Sequence, residues 1–175
     1  MFIPVLLLAT TQAQPATPPQ QPPAHSCTAP EHRQFDFWVG YWDVYPTGKD
    51  KLVAHSLIEK LYDGCAIREN WLPLKGTGGG SLSSYIAEQK LWRQAWTDSS
   101  NGWATLDGGV QSGAMVLAGE WRNANGPGTI AFTRTTWSQN PDGSVRQHGE
   151  ARAGDGKSWS TTFDFTYRPS SSPKP

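Results

Sequence analysis

About ten short apolar segments, separated by turn sequences, are the feature that most constrains how this chain of 175 residues can fold. Within the segments apolar residues alternate or form short runs, which is typical of β-strands. No helical apolar period persists for three turns after residue 39. The sequence predicts strands over residues 40–46, 52–61, 65–72, 81–87, 91–98, 103–107, 113–122, 129–138, 144–152 and 158–168.

The connections between the predicted strands are too short to hold crossover helices, so neighbouring strands should be antiparallel. They carry turn sequences such as PTGKD, SSNG and NPDG, in a chain with 18 Gly and 14 Pro. Closing such a long sheet into a barrel pairs its two edge strands, which would otherwise be free to pair with another chain. We therefore predict an all-β, antiparallel up-and-down barrel of about ten strands, with a two-sheet sandwich as the alternative. One short helical turn within residues 32–40 should plug one end.

The two ends of the chain differ in composition from its body. Residues 1–13 begin with an apolar run that is too short to span a bilayer but suits an export signal peptide, although no positive charge precedes it. A merely apolar N-terminus is the alternative. Residues 14–26 are Pro-rich and predict a disordered spacer. The barrel domain is expected over residues 27–168, with a disordered tail over 169–175. This organisation predicts a secreted or periplasmic protein.

Charge and cysteine content narrow the classes of partner and cofactor. Lys and Arg total 15, as do Asp and Glu, and this zero net charge argues against a nucleic-acid partner. In an exported chain Cys27 and Cys65 favour one disulfide, with two free thiols as the alternative. Two Cys and four scattered His provide no zinc-ligand spacing, so no metal or other cofactor is predicted. We expect a monomer or weak dimer that does not insert into a membrane after signal removal.

A resemblance to a known family begins in the first predicted strand. Gly40, Tyr41 and Trp42 match the GxW that opens lipocalin-like calycin barrels, and FDFWVGYW is followed in order by GCAIRENW, LWRQAWTD and FDFTYR. Together these segments resemble a bacterial secreted family of unknown function with an FDFWxGxW opening. The resemblance implies a calycin-type barrel and export, but no established activity. It also implies that Trp42 packs across a barrel end, where Arg168 would cover it by a cation–π contact.

Several predicted strands mix polar and large apolar residues on one face. Because side chains alternate between the two faces of a strand, residues two apart share a wall. Glu69 lies between Ile67 and Trp71 in this sense, and Gln94 lies between two tryptophans. A barrel lumen that is mostly apolar with a few polar groups is the composition of a small-molecule pocket. The predicted ligand-binding residues are Glu69, Trp71, Trp92, Gln94, Trp96, Arg134 and Gln147.

Three interpretations of these mixed faces remain open at this point. They enclose a ligand pocket in which Glu69 and Arg134 pair or clamp a ligand, they form a filled core, or they face solvent. The leading prediction is an exported barrel that binds a small apolar or amphipathic molecule in its lumen. The alternatives are a protein- or glycan-interaction module with a filled core, and a lumen isomerase, lyase or hydrolase that uses Glu69 with Arg134 or Gln94. No catalytic residue is assigned, because no Ser/His/Asp set is recognisable.

Overall fold

A computed structural model describes residues 27–153 and 156–172 of the chain. They form ten antiparallel strands that pair in chain order, and the last strand pairs with the first to close a barrel. This confirms the predicted up-and-down barrel, and the sandwich is not adopted. The strands are β1 (Gly40–Pro46), β2 (Ala54–Leu61), β3 (Ala66–Pro73), β4 (Gly79–Ile86), β5 (Leu91–Asp98), β6 (Trp103–Gln111), β7 (Ala114–Arg122), β8 (Ile130–Gln139), β9 (Val145–Arg152) and β10 (Trp159–Pro169).

The described part of the chain also contains three short 3₁₀ helices. Two of them, Pro30–Arg33 and Asp36–Trp38, precede β1, and a third, Tyr62–Gly64, lies between β2 and β3. The first two lie in and around the segment where a helical plug was predicted. None of the helices in the described part of the chain is long and apolar enough to span a bilayer.

The barrel has two unlike ends, which we call the closed end and the mouth. The closed end carries the N-terminal 3₁₀ helices and the connections β2–β3, β4–β5, β6–β7 and β8–β9. The mouth carries the five other connections. Most of the lumen-facing rings near the helices are fully buried, whereas those near the mouth are only half-buried, so solvent reaches the lumen from the mouth.

A disulfide joins Cys27 to Cys65 at the closed end, with the two Cα atoms 5.0 Å apart, and confirms the predicted pairing. It spans 38 residues of sequence, which corresponds to roughly 4 kcal/mol of stabilisation in the chain-entropy account. Arg33 strengthens the same junction, because its Nη2 donates hydrogen bonds to the carbonyl oxygens of Cys27 (2.6 Å) and Gly64 (3.2 Å). The N-terminal segment is therefore fixed across one end of the barrel.

The predicted signal peptide (1–13), the predicted spacer (14–26) and residues 173–175 of the predicted tail lie outside the described residues. The barrel itself ends at Pro169, the last residue of β10.

An aromatic cluster fills the lumen beneath the helices. Phe35 stacks on Trp38 with their ring centroids 5.0 Å apart, and it meets Trp137 and Trp92 edge-on at 5.2 and 5.7 Å. All four side chains are essentially inaccessible to solvent. Offset and edge-on contacts are the favourable arrangements of aromatic rings, so this cluster is a strongly stabilising part of the core.

The Gly40-x-Trp42 motif begins β1 directly beneath this cluster. The Nε1 of Trp42 donates a 2.9 Å hydrogen bond to the carbonyl oxygen of Trp38, which anchors the second 3₁₀ helix to the barrel. A Cβ atom at position 40 would lie 3.0 Å from the indole ring of Trp42, so glycine gives that ring its space. The expected cover by Arg168 is wrong. Arg168 follows the inward-facing Tyr167 and therefore points outward, where its guanidinium lies 4.6 Å from the ring centre of Tyr45.

Candidate functional site

A cavity of about 170 Å³ occupies the lumen between the aromatic cluster and the mouth. Its walls come from seven strands, β3 and β5 to β10, and the residues that each contributes are inward-facing ones, which alternate along a barrel strand. The lining is mostly aromatic and aliphatic, with four polar side chains that could orient a bound molecule. The lining residues are Glu69, Trp71, Gln94, Trp96, Ala104, Leu106, Trp121, Thr135, Gln147, Phe163, Phe165 and Tyr167.

Five of the seven residues predicted from the sequence line this cavity: Glu69, Trp71, Gln94, Trp96 and Gln147. The structure therefore brings together residues from three different strands that strand parity had placed on inward faces.

Trp92 also faces inward, but it lies at the closed end rather than in the cavity wall. It packs edge-on against Phe35, and its Nε1 donates a 3.2 Å hydrogen bond to Oε1 of Gln34. Trp92 thus helps to hold the N-terminal plug.

The prediction that Arg134 faces inward is wrong. Its Nε and Nη2 donate hydrogen bonds of 2.9 and 2.7 Å to Oε2 of Glu150, and its guanidinium lies 4.4 Å from the ring centre of Trp159, all on the outer face. Ile130 and Phe132 share a face of β8 with Arg134, and because both are apolar the sequence predicts that this face points into the lumen. The two side chains are, however, 56% and 40% exposed. The lumen side of β8 instead carries small threonines and Trp137, and the expected Glu69–Arg134 pair does not form.

A β-bulge in β10 changes which residues of that strand face the lumen. Thr161 pairs with Glu150, and Phe163 pairs with Gly149, so one residue is inserted between them. The inserted residue reverses parity. Trp159 and Thr161 consequently lie on the outer face, whereas Phe163, Phe165 and Tyr167 face the lumen, although simple alternation would have placed all five on one face.

Two groups of rings face the cavity. Trp96 and Trp121 lie 6.0 Å apart, and Ala104 pairs with both of them, so its small side chain leaves room for the two indoles to meet. On another wall Trp71 and Phe165 lie 5.7 Å apart. Trp121 was not predicted as a site residue. A signal for it existed, because Leu117, Gly119 and Trp121 are each two residues apart and therefore share one face of β7, which is apolar.

Trp96 is held in position by the turn that follows it. Its Nε1 donates a 3.0 Å hydrogen bond to Oδ2 of Asp98, and Oδ1 of Asp98 accepts the backbone N–H groups of Ser100 and Gly102, each at 2.9 Å. These hydrogen bonds lower the pKa of Asp98 against the opposing effect of burial, which raises it. Asp98 therefore caps the turn and also orients an indole of the cavity wall.

Trp121 presents an unused hydrogen-bond donor. Its Nε1 is buried and has no acceptor among the described residues. A buried indole N–H normally has a partner, because leaving it unpaired is unfavourable. A molecule with an acceptor atom at this position would satisfy it.

A hydrogen-bond network surrounds the one carboxyl group of the cavity. Glu69 is 4% exposed, and its oxygens accept hydrogen bonds from Ser81 (3.0 Å) and Ser56 (3.4 Å). The Nε2 of Gln94 donates to the hydroxyl oxygens of Ser81 (3.2 Å) and Ser83 (3.0 Å). No cationic side chain pairs with Glu69 anywhere in residues 27–153 or 156–172. The carboxyl is thus buried and supported only by neutral groups.

Burial changes the acid–base properties of the lumen. It raises the pKa of Glu69 from 4.5 to about 7, and the hydrogen bonds from Ser81 and Ser56 oppose this only in part. Burial also raises the pKa of Tyr167 well above its usual value, and the negative charge of Glu69 adds to the effect. The Tyr167 hydroxyl donates a short hydrogen bond to Oε1 of Gln147. Glu69 consequently exchanges a proton near neutral pH, while Tyr167 stays neutral.

The titratable side chains of the cavity determine its acid–base chemistry. Glu69 and Tyr167 are the two titratable side chains in the described lining, and neither lies beside a serine–histidine or cysteine–histidine pair that would supply a nucleophile. Within the described part of the chain, no three His, Cys, Asp or Glu side chains group closely enough to hold a metal ion. What the arrangement provides is a shaped apolar cavity with a carboxyl, two amides and an indole N–H as polar contacts.

Comparison with protein-family models gives no match for this chain, and comparison with curated proteins gives no match either. The geometry of the barrel and its cavity is therefore the basis for assigning a function.

Proposed function

We propose that this protein is an exported barrel that binds a small apolar or amphipathic molecule in its lumen. The observation that carries the proposal is the cavity of about 170 Å³, lined by half-buried rings and reached from the mouth. A filled core would leave no such space, since protein interiors normally pack as densely as organic crystals. Export is supported by the disulfide and by the apolar run at the N-terminus. The FDFWxGxW resemblance is consistent with both parts of this proposal.

The size of the cavity limits the ligand. An engineered cavity of about 150 Å³ in another protein holds benzene, so the space here suits one ring or a short chain. Pockets for drug-sized molecules measure about 300–1,000 Å³. We infer a ligand smaller than a drug-sized molecule, with a polar group that reaches the Glu69–Gln94 network.

A second function, interaction with a protein or glycan, is favoured by a specific feature of the outer face. Trp103, Ile130 and Phe132 are 49%, 56% and 40% exposed near the mouth, and the ring of Phe132 lies 6.1 Å from that of Trp159. Clustered exposed apolar side chains often mark an interaction surface.

Native mass spectrometry and a cavity-filling variant test lumen binding together. Protein purified from an exporting host should carry a small molecule that is released on unfolding, and added benzyl alcohol should perturb the fluorescence of the cavity tryptophans. Ala104→Leu should abolish both signals, because the added side chain occupies the cavity beside Trp96 and Trp121. Ala95→Leu is the matched control, since Ala95 is on the outer face of the neighbouring strand.

Absence of a co-purified molecule, together with failure of benzyl alcohol to bind the wild-type protein, would overturn lumen binding. Equal binding by Ala104→Leu and Ala95→Leu would place the bound molecule elsewhere.

The intact mass of the exported protein checks the N-terminus, because the mature chain should begin near Gln14, and a mass that retains Met1 would contradict signal cleavage.

A further inference from the structure

Glu69 is an acidic group at the base of a cavity walled by aromatic rings, and no cationic side chain of residues 27–153 or 156–172 pairs with it. We propose that the cavity binds a small organic cation, a protonated amine whose ammonium group contacts the Glu69 carboxylate while its apolar part lies among the tryptophans. This inference rests on lumen binding as proposed above and specifies the chemical class of the ligand.

The hydrogen-bonding capacity of Glu69 is only partly used. A carboxylate has about four acceptor positions, and Ser81 and Ser56 occupy two of them, the second with a long 3.4 Å contact. Both donors are neutral hydroxyl groups. An ammonium group carries three N–H donors and a full positive charge, so it supplies what the protein does not.

The rings around Glu69 favour the same ligand charge. The face of an aromatic ring is negative, and tryptophan attracts a cation most strongly. Three tryptophans, two phenylalanines and Tyr167 line the cavity. Enclosure of a cation by several aromatic faces beside a carboxylate is an established way for proteins to recognise amines. A carboxylate ligand would instead face both the negative rings and Glu69.

The cations of the barrel wall do not reach the lumen to satisfy Glu69. Arg134 pairs with Glu150 and Arg146 pairs with Asp164, at 2.7 and 2.6 Å, and both pairs lie on the outer face. The described barrel wall therefore leaves the place of a positive charge beside Glu69 open to a bound molecule.

Binding of an amine should be coupled to proton release. The side chains that face Glu69 are Ser56 of β2, Ser81 of β4, Gln94 of β5 and Tyr167 of β10. Tyr167 stays neutral. Where Glu69 is protonated, its proton leaves to solvent as the ammonium group arrives, so proton release approaches one per bound cation well below the pKa of Glu69 and falls towards zero above it. With the pKa of free Glu69 at about 7, amine affinity should rise as the pH is raised towards 8.

Calorimetric titration with three ring compounds of similar size tests this inference. Benzylamine is the cation, benzyl alcohol the neutral analogue and benzoate the anion. At pH 8 we expect benzylamine to bind at least tenfold more tightly than benzyl alcohol, and benzoate not to bind. Between pH 8 and pH 5.5 the affinity for benzylamine should fall about 30-fold, following the ionised fraction of Glu69, while that for benzyl alcohol should stay constant.

Two variants identify the group responsible. Glu69→Gln should reduce the affinity for benzylamine to the variant's own affinity for benzyl alcohol and remove its pH dependence, and a thermal melt as cooperative as that of the wild type shows that the barrel is intact. Glu150→Gln changes a carboxyl on the outer face and should leave all three titrations unaltered.

The outcomes separate the two proposals. Benzyl alcohol binding as tightly as benzylamine at pH 8, or a benzylamine affinity that does not vary with pH, would overturn the cation inference and leave lumen binding in place. Failure of both compounds to bind the wild-type protein would overturn lumen binding itself.

Discussion

The closed end and the mouth of this barrel contain similar numbers of large aromatic side chains but use them differently. At the closed end, Phe35, Trp38 and Trp137 are 0–1% exposed and pack against one another. At the mouth, Trp71, Trp96 and Trp121 are half-buried and border a cavity. The number of aromatic side chains alone thus does not decide whether a region of the barrel interior is a packed core or a binding site.

The N-terminal segment makes the difference. The helices Pro30–Arg33 and Asp36–Trp38 insert Phe35 and Trp38 into one end, and the disulfide holds them there. The mouth has no corresponding insertion among the described residues, and its inner face carries Glu69 and Gln94 instead. Stability is therefore expected to concentrate at the closed end and ligand chemistry at the mouth.

The largest expected effect comes from removing a ring at the closed end. Trp38→Ala should lower the free energy of unfolding by about 4 kcal/mol, because a fully buried indole is replaced by a void. Trp121→Ala at the mouth should cost less than half as much, since its ring is half-buried and borders an existing cavity. Urea denaturation of both variants measures the difference. Similar losses for the two would remove the energetic distinction between the ends.

The next effect concerns Glu69 and pH. Its pKa is about 7 in the folded protein against an ordinary 4.5, so the folded state binds the proton more tightly than the unfolded chain. Stability from this group is complete below about pH 4.5 and falls as the pH rises to about 7. Relative to Glu69→Gln, the wild-type protein should lose roughly 3 kcal/mol across that range.

Urea titrations of wild type, Glu69→Gln and Glu150→Gln at several pH values measure this loss. Glu150→Gln serves as the outer-face carboxyl control and should keep the wild-type pH dependence. If Glu69→Gln also keeps the wild-type pH dependence of stability, the mouth is better hydrated than its geometry indicates. The two ends of the barrel would then differ in packing alone.

The smallest effect is local to the mouth. A Cβ atom at Gly149 would lie 2.2 Å from the ring of Phe163, so Gly149→Ala must displace that ring into the cavity. We expect a loss of about 1–2 kcal/mol and weaker binding of benzyl alcohol. Gly109→Ala is the control, because a Cβ atom there meets nothing within 4 Å. Unchanged binding in Gly149→Ala would show that Phe163 does not shape the cavity.

Most of the fold and much of the candidate site could be predicted from the sequence. Turn residues punctuate the chain so regularly that the ten predicted strands differ from the observed ones by only a few residues at their ends. Parity then placed Glu69, Gln94 and Gln147 correctly, because each lies in a strand without a bulge. Parity failed in β10, where one inserted residue reverses the faces, and in β8.

The error in β8 has a separate cause. Ile130 and Phe132 are apolar but lie on the outer face, where Arg152 packs over the ring of Phe132 at 4.5 Å. Hydrophobicity by itself could not distinguish this exposed aromatic–arginine surface from a lumen wall, and Arg134 was assigned to the wrong side in consequence.

The sequence by itself determined the barrel, the strand order and the pairing of Cys27 with Cys65, because turn chemistry, alternation and cysteine number are local properties. Tertiary structure alone decided which end is filled, which rings leave a space, and that Glu69 has no cationic partner within the described part of the chain. These depend on how side chains from strands far apart in sequence meet across the lumen. Strand parity can say that a side chain points inward, but only the closed barrel shows what it meets there.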